Sequence, residues 1–281
     1  MARTRALGIV FVVAAAALAG CARPPVALLP GEGEPAYVPG LDTRLRAEVR
    51  AGPVSGYLQT PKGGTPGTTS IHRPTFDEVG AETLIAPTAD LRFAFGRHRV
   101  HVGASWWLLH GDETLTRDLT SHDDFYAAGT DMTSDTEIVA AWLGYGYAFE
   151  LGRQAGALTL TPGAGIYSYG QRYAISGGGQ DSSRDFTSFS PMLDAELLWY
   201  PGGRMHVSAG LMLVLDELMG LNSPTTAVDA VVRLHWDISR QANVFLAMGY
   251  SRLEHFDEQV VPNDAEIESL PWFGLGAEFR F

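Results

Sequence analysis

Two pairs of histidine and aspartate are the residues whose types and spacing could perform chemistry. His110 is followed two residues later by Asp112, and His255 is followed in the same way by Asp257. Side chains two residues apart on a β-strand lie on one face, so each aspartate could orient its histidine as a general base for hydrolysis. The alternative is that both pairs only solvate a wet rim. The catalytic interpretation requires histidine and aspartate side chains to converge in a cleft.

Other kinds of chemical site are disfavoured. The 281 residues carry a net charge of −12 and include one lysine, Lys62, so no basic stripe exists to bind nucleic acid. The glycines at 177–179 do not stand between a strand and a helix, so no nucleotide and no other cofactor is expected. The acidic stretch 111–135 matches no calcium loop. It predicts a solvated acidic surface and no metal site.

The N-terminus has the form of a secretory signal. Arg3 and Arg5 precede an apolar stretch that ends in Leu-Ala-Gly before Cys21. This ending resembles the lipobox of bacterial lipoproteins, a resemblance that implies a signal peptide over 1–20 and a diacylglycerol on the Cys21 thiol. Cys21 is the sole cysteine, so it cannot form an internal disulfide. The proline-rich stretch 21–43 predicts a periplasmic tether.

From residue 44 to residue 281, apolar and polar residues alternate with a period of two, which is typical of β-strands. Short turns near 96–98, 152–154, 201–204 and 239–242 alternate with long polar stretches at 60–87, 111–135, 175–187, 217–226 and 257–269. An even number of strands with short turns at one end and long loops at the other predicts an all-β, antiparallel transmembrane barrel. The ten predicted strands are 44–59, 88–96, 99–110, 136–150, 155–174, 188–200, 205–216, 227–238, 243–256 and 270–281.

The cost of placing charge in lipid assigns the two faces of these strands. An arginine that faces lipid at mid-depth costs about 2–4 kcal/mol, so the charged face must be the lumen. Aromatic residues near the short-turn end, Phe95, Phe149, Trp199, Trp236 and Phe281, then form an interfacial girdle. The predicted lumen-facing residues are Arg46, Glu48, Arg50, Asp90, Arg92, Asp194, Glu196, Asp229, Arg233, His235, Glu278 and Arg280.

The last strand alternates to the final residue and ends in Phe281. It resembles the C-terminal signal by which the barrel-assembly machinery recognises outer-membrane barrels. That resemblance implies outer-membrane lipid and the assembly machinery as partners. The expected location is the bacterial outer membrane, with short turns and the Cys21 lipid anchor on the periplasmic side.

Three functions follow from these features. The first is a non-enzymatic barrel, either a structural or surface-interaction protein or a narrow pore for small solutes; inward ion pairs favour closure, and glycines at 144, 146, 163, 165, 210, 274 and 276 favour opening. The second is a rim hydrolase, because ten-stranded barrels include the omptin proteases, whose catalytic residues lie at the external rim. The third is a soluble periplasmic lipoprotein that binds a ligand, which predicts the reverse assignment of faces.

Overall fold

The computed structural model describes residues 41–58, 75–121, 124–151, 158–215, 225–255 and 265–281. Within these ranges the chain is almost entirely β-strand, with one turn of 3₁₀ helix at Asp77–Val79. The strands are β1 (Leu41–Pro53), β2 (Ser55–Leu58), β3 (Thr83–Phe95), β4 (His98–Thr114), β5 (Leu119–Ser121), β6 (Asp124–Tyr126), β7 (Asp131–Tyr147), β8 (Phe149–Glu150), β9 (Leu158–Gly177), β10 (Gln180–Gly202), β11 (Met205–Leu215), β12 (Thr225–Asp237), β13 (Ala242–His255) and β14 (Ala265–Arg280).

Ten long antiparallel strands close into a barrel. They are hydrogen-bonded in the order β1, β3, β4, β7, β9, β10, β11, β12, β13 and β14, and β14 returns to pair with β1. The short β2 continues β1 along β14 after the interruption that follows Pro53, and β8 continues β7 along β9. The predicted ten-stranded antiparallel barrel is therefore confirmed. Closure leaves no unpaired edge along the ring.

Three of the four tight turns predicted at one end of the barrel are described, and all three are short, whereas the predicted turn at 152–154 lies outside the described residues. Gly96 and Arg97 join β3 to β4, and Gly203 and Arg204 join β10 to β11. At the other end, the prediction of a long loop over 175–187 is wrong. The stretch 175–187 is strand on both sides of a two-residue turn at Gly178 and Gly179, whose φ angles are 57° and 83°. Both angles favour glycine.

Several strands also extend further from the tight-turn end than the sequence predicts. Among them, β4 reaches Thr114 and β7 begins at Asp131. Their outward side chains become polar beyond the apolar region, which the sequence interpretation took as the start of loops. Strand pairing does not need an apolar outer face, because backbone hydrogen bonds continue in water. The barrel wall therefore projects beyond the part that faces lipid.

The outer surface carries an apolar belt. On β10, alternate side chains from Trp199 to Phe189 point outward, and these two residues are 45% and 66% exposed. Ten residue steps of about 3.3 Å, tilted by about 40°, span about 25 Å, which matches the hydrocarbon core of an outer membrane. The girdle residues predicted near the tight turns are all exposed: Phe95, Phe149, Trp199, Trp236 and Phe281.

The interior is divided into two layers. Toward the long-loop end it is filled by a buried cluster that includes Tyr167, Tyr169 and Ile138. Phe76 and Val79, beside the 3₁₀ turn, pack into the same cluster. Toward the tight-turn end the interior is lined by charged side chains instead. Among the described residues, no helix has the length and apolar character that crossing a membrane would demand.

Gly111 allows the 3₁₀ turn to pack against the inside of the wall. A Cβ atom at this position would lie 2.1 Å from the carbonyl oxygen of Val79 and 2.5 Å from the backbone nitrogen of Ala81. Any larger side chain would therefore push this segment away from β4. The close approach holds Phe76 and Val79 inside the mouth of the barrel, where each is at most 2% exposed.

Candidate functional site in the barrel lumen

The structure brings the twelve sequence-predicted lumen residues together inside the barrel. Ten of them lie within 4 Å of an opposite charge in the interior, and Asp194 lies 3.7 Å from His101. His235 hydrogen-bonds to uncharged neighbours. The ten residues near an opposite charge are Arg46, Glu48, Arg50, Asp90, Arg92, Glu196, Asp229, Arg233, Glu278 and Arg280. Period-two alternation places them on one face of their strands, and closure turns that face inward.

One ion pair crosses the full width of the lumen. Arg46 on β1 donates from Nη2 to Glu196 Oε1 at 3.4 Å and to Glu278 Oε2 at 3.1 Å. In the ring of ten strands, β10 lies five places from β1 in either direction. Arg92 on β3 also donates to both carboxylate oxygens of Glu196. Glu196 thus holds two arginines from the opposite wall.

A second group of ion pairs joins β1 to β12. Arg233 Nη2 donates to Glu48 Oε2 at 2.8 Å, and Arg50 Nη1 donates to Asp229 at 3.1 Å. The guanidinium of Arg50 also lies 4.3 Å from the ring centroid of Trp272, in the range of a cation–π contact. These charges are buried but paired, which is the condition for retaining them inside a protein.

Aromatic rings form a stack near the tight-turn end. Tyr200 stacks on His206 at 4.8 Å between centroids, and His206 stacks on His235 at 4.2 Å. His235 Nδ1 lies 3.0 Å from Asn243 Oδ1, and its Nε2 lies 2.9 Å from Ser208 Oγ. Since the amide oxygen only accepts, Nδ1 carries the proton and Ser208 donates to Nε2. The stack runs from β10 to β12, and the contact with Asn243 continues it to β13.

Sequence reasoning missed His206 and Trp272 as interior residues. Both are 1% exposed. The alternation could have placed both inside. Trp272 lies an even number of residues from Glu278, and His206 lies two residues from Ser208, so each shares a strand face with that residue. Neither carries the alternating charges on which the face assignment relied.

A small cavity lies among the charges. It has a volume of about 130 Å³ and extends from Asp229 and Met212 to Arg99 and Gly146, which stand next to the tight-turn ends of β4 and β7. Its lining includes five arginines and five carboxylates. The cavity does not reach the buried tyrosine and aliphatic cluster of the long-loop end beyond Met192.

The His110 and Asp112 pair lies on the outer wall, above the apolar belt that ends on β4 at Leu108. His110 Nδ1 lies 2.9 Å from Asp135 Oδ1, and His110 Nε2 lies 3.1 Å from Asp112 Oδ2. The hydrogen bond to Asp135, followed by the one to Asp112, raises the pKa of His110. A hydrogen bond from Thr133 chiefly lowers the pKa of Asp112. Both ring nitrogens contact carboxylates, which accept hydrogen bonds, so these contacts favour the doubly protonated ring, whereas a general base needs a free lone pair.

The second pair does not join the first. The expectation of a wet rim is wrong for His255, which is 4% exposed and points inward, with Nδ1 2.9 Å from Thr225 Oγ1. Asp257 lies outside the described residues. His110 faces outward, with its side chain 61% exposed, whereas His255 faces inward. The two histidines therefore do not converge in a cleft.

Asp135→Asn is expected to lower the pKa of His110 more than Asp112→Asn does, because the bond to Asp135 contributes most to the raised value. A raised pKa in the folded state means that this contact stabilises the fold at low pH. That contribution is lost as pH rises through the folded-state pKa of His110. Titration of the His110 ring by NMR measures the pKa values. Equal values in both variants and the parent would contradict the assigned contacts.

Among solved structures, the chain is similar in fold to bacterial outer-membrane β-barrels. The Yersinia pestis attachment invasion locus protein Ail, solved with a heparin analogue, is 12% identical over 84% of this chain and 99% of its own, with a TM-score of 0.36. The Escherichia coli outer membrane protease OmpT is 10% identical over 85% and 97%, with a TM-score of 0.38. Neisserial surface protein A is 12% identical over 85% and 97%, with a TM-score of 0.32.

No protein-family model matches the chain, and a search of curated proteins found no sequence match. The three TM-scores lie below 0.5, so the assignment of this chain rests on its own geometry. That geometry is a transmembrane antiparallel barrel with apolar residues outside and charges inside.

The other predicted site residues lie at or beyond the chain ends. Cys21, the signal peptide and nearly all of the tether lie outside the described residues. Phe281 is described: its backbone nitrogen donates to Thr43 O at 2.9 Å, and its side chain is 36% exposed. The described part of the chain contains no group of three or more His, Cys, Asp or Glu residues arranged to hold a metal ion.

Proposed function

We propose that this protein is a lipid-anchored outer-membrane barrel that does not conduct and does not catalyse a reaction, and that acts through its external surface. The proposal places the barrel in the bacterial outer membrane with its tight turns in the periplasm. The apolar belt and the aromatic girdle support membrane insertion. The soluble alternative requires polar residues outside, whereas Leu246, Phe273 and Leu275 are each more than half exposed.

The observation that carries the non-conducting assignment is the double block of the lumen. Arg46, Arg92 and Glu196 join opposite walls in the charged layer. Beyond them, Tyr167, Tyr169 and their neighbours fill the barrel to the long-loop end. An ion crossing this interior would have to separate buried ion pairs and then enter an apolar layer, and both steps are costly.

The inward glycines do not open a channel. A Cβ atom at Gly144 would lie 1.8 Å from His101 Nε2, and one at Gly163 would lie 2.6 Å from Asp194 Oδ1. At Gly276 it would lie 2.3 Å from the ring of Phe245. These glycines give room to large side chains from neighbouring strands. At these three positions, the space that favoured a pore in the sequence is therefore occupied.

The anchor and the assembly route complete the proposal. Diacylglycerol on Cys21 would hold the N-terminus at the periplasmic leaflet, on the same side as the start of β1. The alternating last strand and its terminal Phe281 would be recognised by the barrel-assembly machinery. Mass spectrometry of the mature chain tests the lipid, because lipidated and unmodified N-terminal peptides differ in mass by the acyl groups.

Planar-bilayer recording tests the closed lumen. The refolded mature protein is expected to insert without stable current steps, and a porin in the same bilayers is the positive control. An Arg46→Ala/Arg92→Ala/Glu196→Ala variant keeps the apolar layer and is expected to remain silent too. Reproducible current steps from the parent protein would refute the closed assignment. Insertion is verified separately by the faster gel mobility of unheated samples.

A further inference from the structure

The cavity inside the charged layer has the properties of a binding site. It extends along the cross-lumen ion pairs on both sides, from Asp229 and Met212 to the strand-terminal residues Arg99 and Gly146. The apolar cluster separates it from the long-loop end. A solute could therefore reach the cavity only from the tight-turn side, which is the periplasmic side in the proposed orientation.

Buried polar atoms in the lining lack hydrogen-bond partners among the described residues. They are the donors Arg46 Nε and Arg50 Nε and the acceptors Glu48 Oε1 and Asp194 Oδ1. The side chains of Arg46, Glu48 and Arg50 are at most 9% exposed. Arg50 Nε and Glu48 Oε1 stand 3.5 Å apart, and His101 Nε2 and Asp194 Oδ1 stand 3.7 Å apart. Each of these side chains has an opposite charge or a histidine nearby. A buried polar atom without a hydrogen bond is still costly, and a bound polar molecule would relieve that cost.

The charges in the lining balance. Five arginines face five carboxylates, so a lone anion or a lone cation meets attraction and repulsion of similar size. A molecule that carries both charges gains from both sets. The buried atoms that lack hydrogen bonds show the same balance, since they include donors for a carboxylate and acceptors for an ammonium group.

We propose that this cavity binds a small zwitterion of amino-acid size, which enters from the periplasmic side. The volume of about 130 Å³ suits a molecule of that size. Asp194 receives the ammonium group, and the Arg46 and Arg50 side chains receive the carboxylate. The inference goes beyond the proposed function, because it concerns occupancy of the charged layer and does not depend on whether the lumen conducts.

Equilibrium dialysis of radiolabelled glycine against the refolded protein in detergent tests this proposal. Saturable binding is expected, with methylamine and acetate competing much more weakly than L-alanine. Asp194→Asn keeps the side-chain shape and is expected to weaken glycine binding at least tenfold. Asp181→Asn, an exposed change on the same strand, is the matched control and should bind as the parent does.

Each contrary result is decisive. Absence of saturable glycine binding by a parent protein with normal gel mobility would overturn the proposal, and so would an Asp194→Asn variant that binds like the parent. Acetate competing as strongly as alanine would show an anion site instead and would equally refute it. Because conductance is measured separately, failure here leaves the closed-lumen assignment standing, and current steps in the bilayer leave glycine binding standing.

Discussion

Replacing Trp272 with alanine is expected to lower the free energy of unfolding by about 3–5 kcal/mol, the range found when a large buried aromatic residue is truncated. The indole is 1% exposed and its Nε1 donates to Ser251 Oγ at 2.9 Å. Ser251 in turn donates to Asp229 at 2.6 Å, and Asp229 accepts from Arg50, whose guanidinium lies over the indole. Trp272, Ser251, Asp229 and Arg50 therefore each contact the next, and Arg50 contacts Trp272 again.

The neighbouring backbone is shaped to hold this side chain. A Cβ atom at Gly52 would lie 2.7 Å from Trp272 Cα, and one at Gly249 would lie 2.4 Å from its ring. Gly52 is on β1 and Gly249 is on β13, so Trp272 packs against both strands that flank β14. The seam between the first and last strands depends on this contact, because β1 and β14 pair continuously only over 44–51.

Urea unfolding in lipid vesicles, monitored by gel mobility, measures the change in the free energy of unfolding. Trp272→Phe keeps most of the side-chain volume but removes the hydrogen bond to Ser251, so it should lower the free energy of unfolding by about 1 kcal/mol. Phe273→Ala is the matched control, because Phe273 is the adjacent aromatic residue and is 58% exposed on the lipid-facing side. If Trp272→Ala and Phe273→Ala cost the same, Trp272 does not have the packing role assigned to it.

Glu48→Gln is expected to cost about 3–5 kcal/mol, because it leaves the buried Arg233 guanidinium without its carboxylate. Glu48 Oε2 accepts from Arg233 Nε at 3.2 Å and from Nη2 at 2.8 Å. The two side chains are 1% and 7% exposed. Within the described residues, Glu48 is the carboxylate that forms an ion pair with Arg233.

A double variant separates the cost of an unpaired charge from the loss of a contact. Glu48→Gln/Arg233→Gln removes both charges, so its loss should be smaller than the loss from Glu48→Gln alone. Glu113→Gln, an exposed carboxylate on β4, should change stability by less than about 0.5 kcal/mol. If the double variant lost as much stability as the separate losses from Glu48→Gln and Arg233→Gln added together, the pair would not be coupled, contrary to the geometry.

The sequence determined the fold class and most of the interior. Charges on alternate residues, as in Arg46, Glu48 and Arg50, predict an inward face because lipid excludes them, and the structure places these residues inside. The four tight turns predict neighbouring antiparallel strands. The long-loop end was less predictable, because strands that leave the membrane keep their backbone pairing while their side chains become polar.

Only the tertiary structure decided how the interior closes. Alternation predicts that Glu196 faces inward, but its contact with Arg46 depends on the barrel diameter and on which strands lie opposite each other. In the same way, His110 and His255 look equivalent in sequence and lie on opposite faces of the wall. Between Ser269 and Trp272, two residues of β14 lie opposite one residue of β13. Because of this bulge, odd-numbered residues of β14 face inward before it and even-numbered residues face inward after it. Spacing along one strand carries no information about such partners, because they come from distant strands and meet only when the sheet closes.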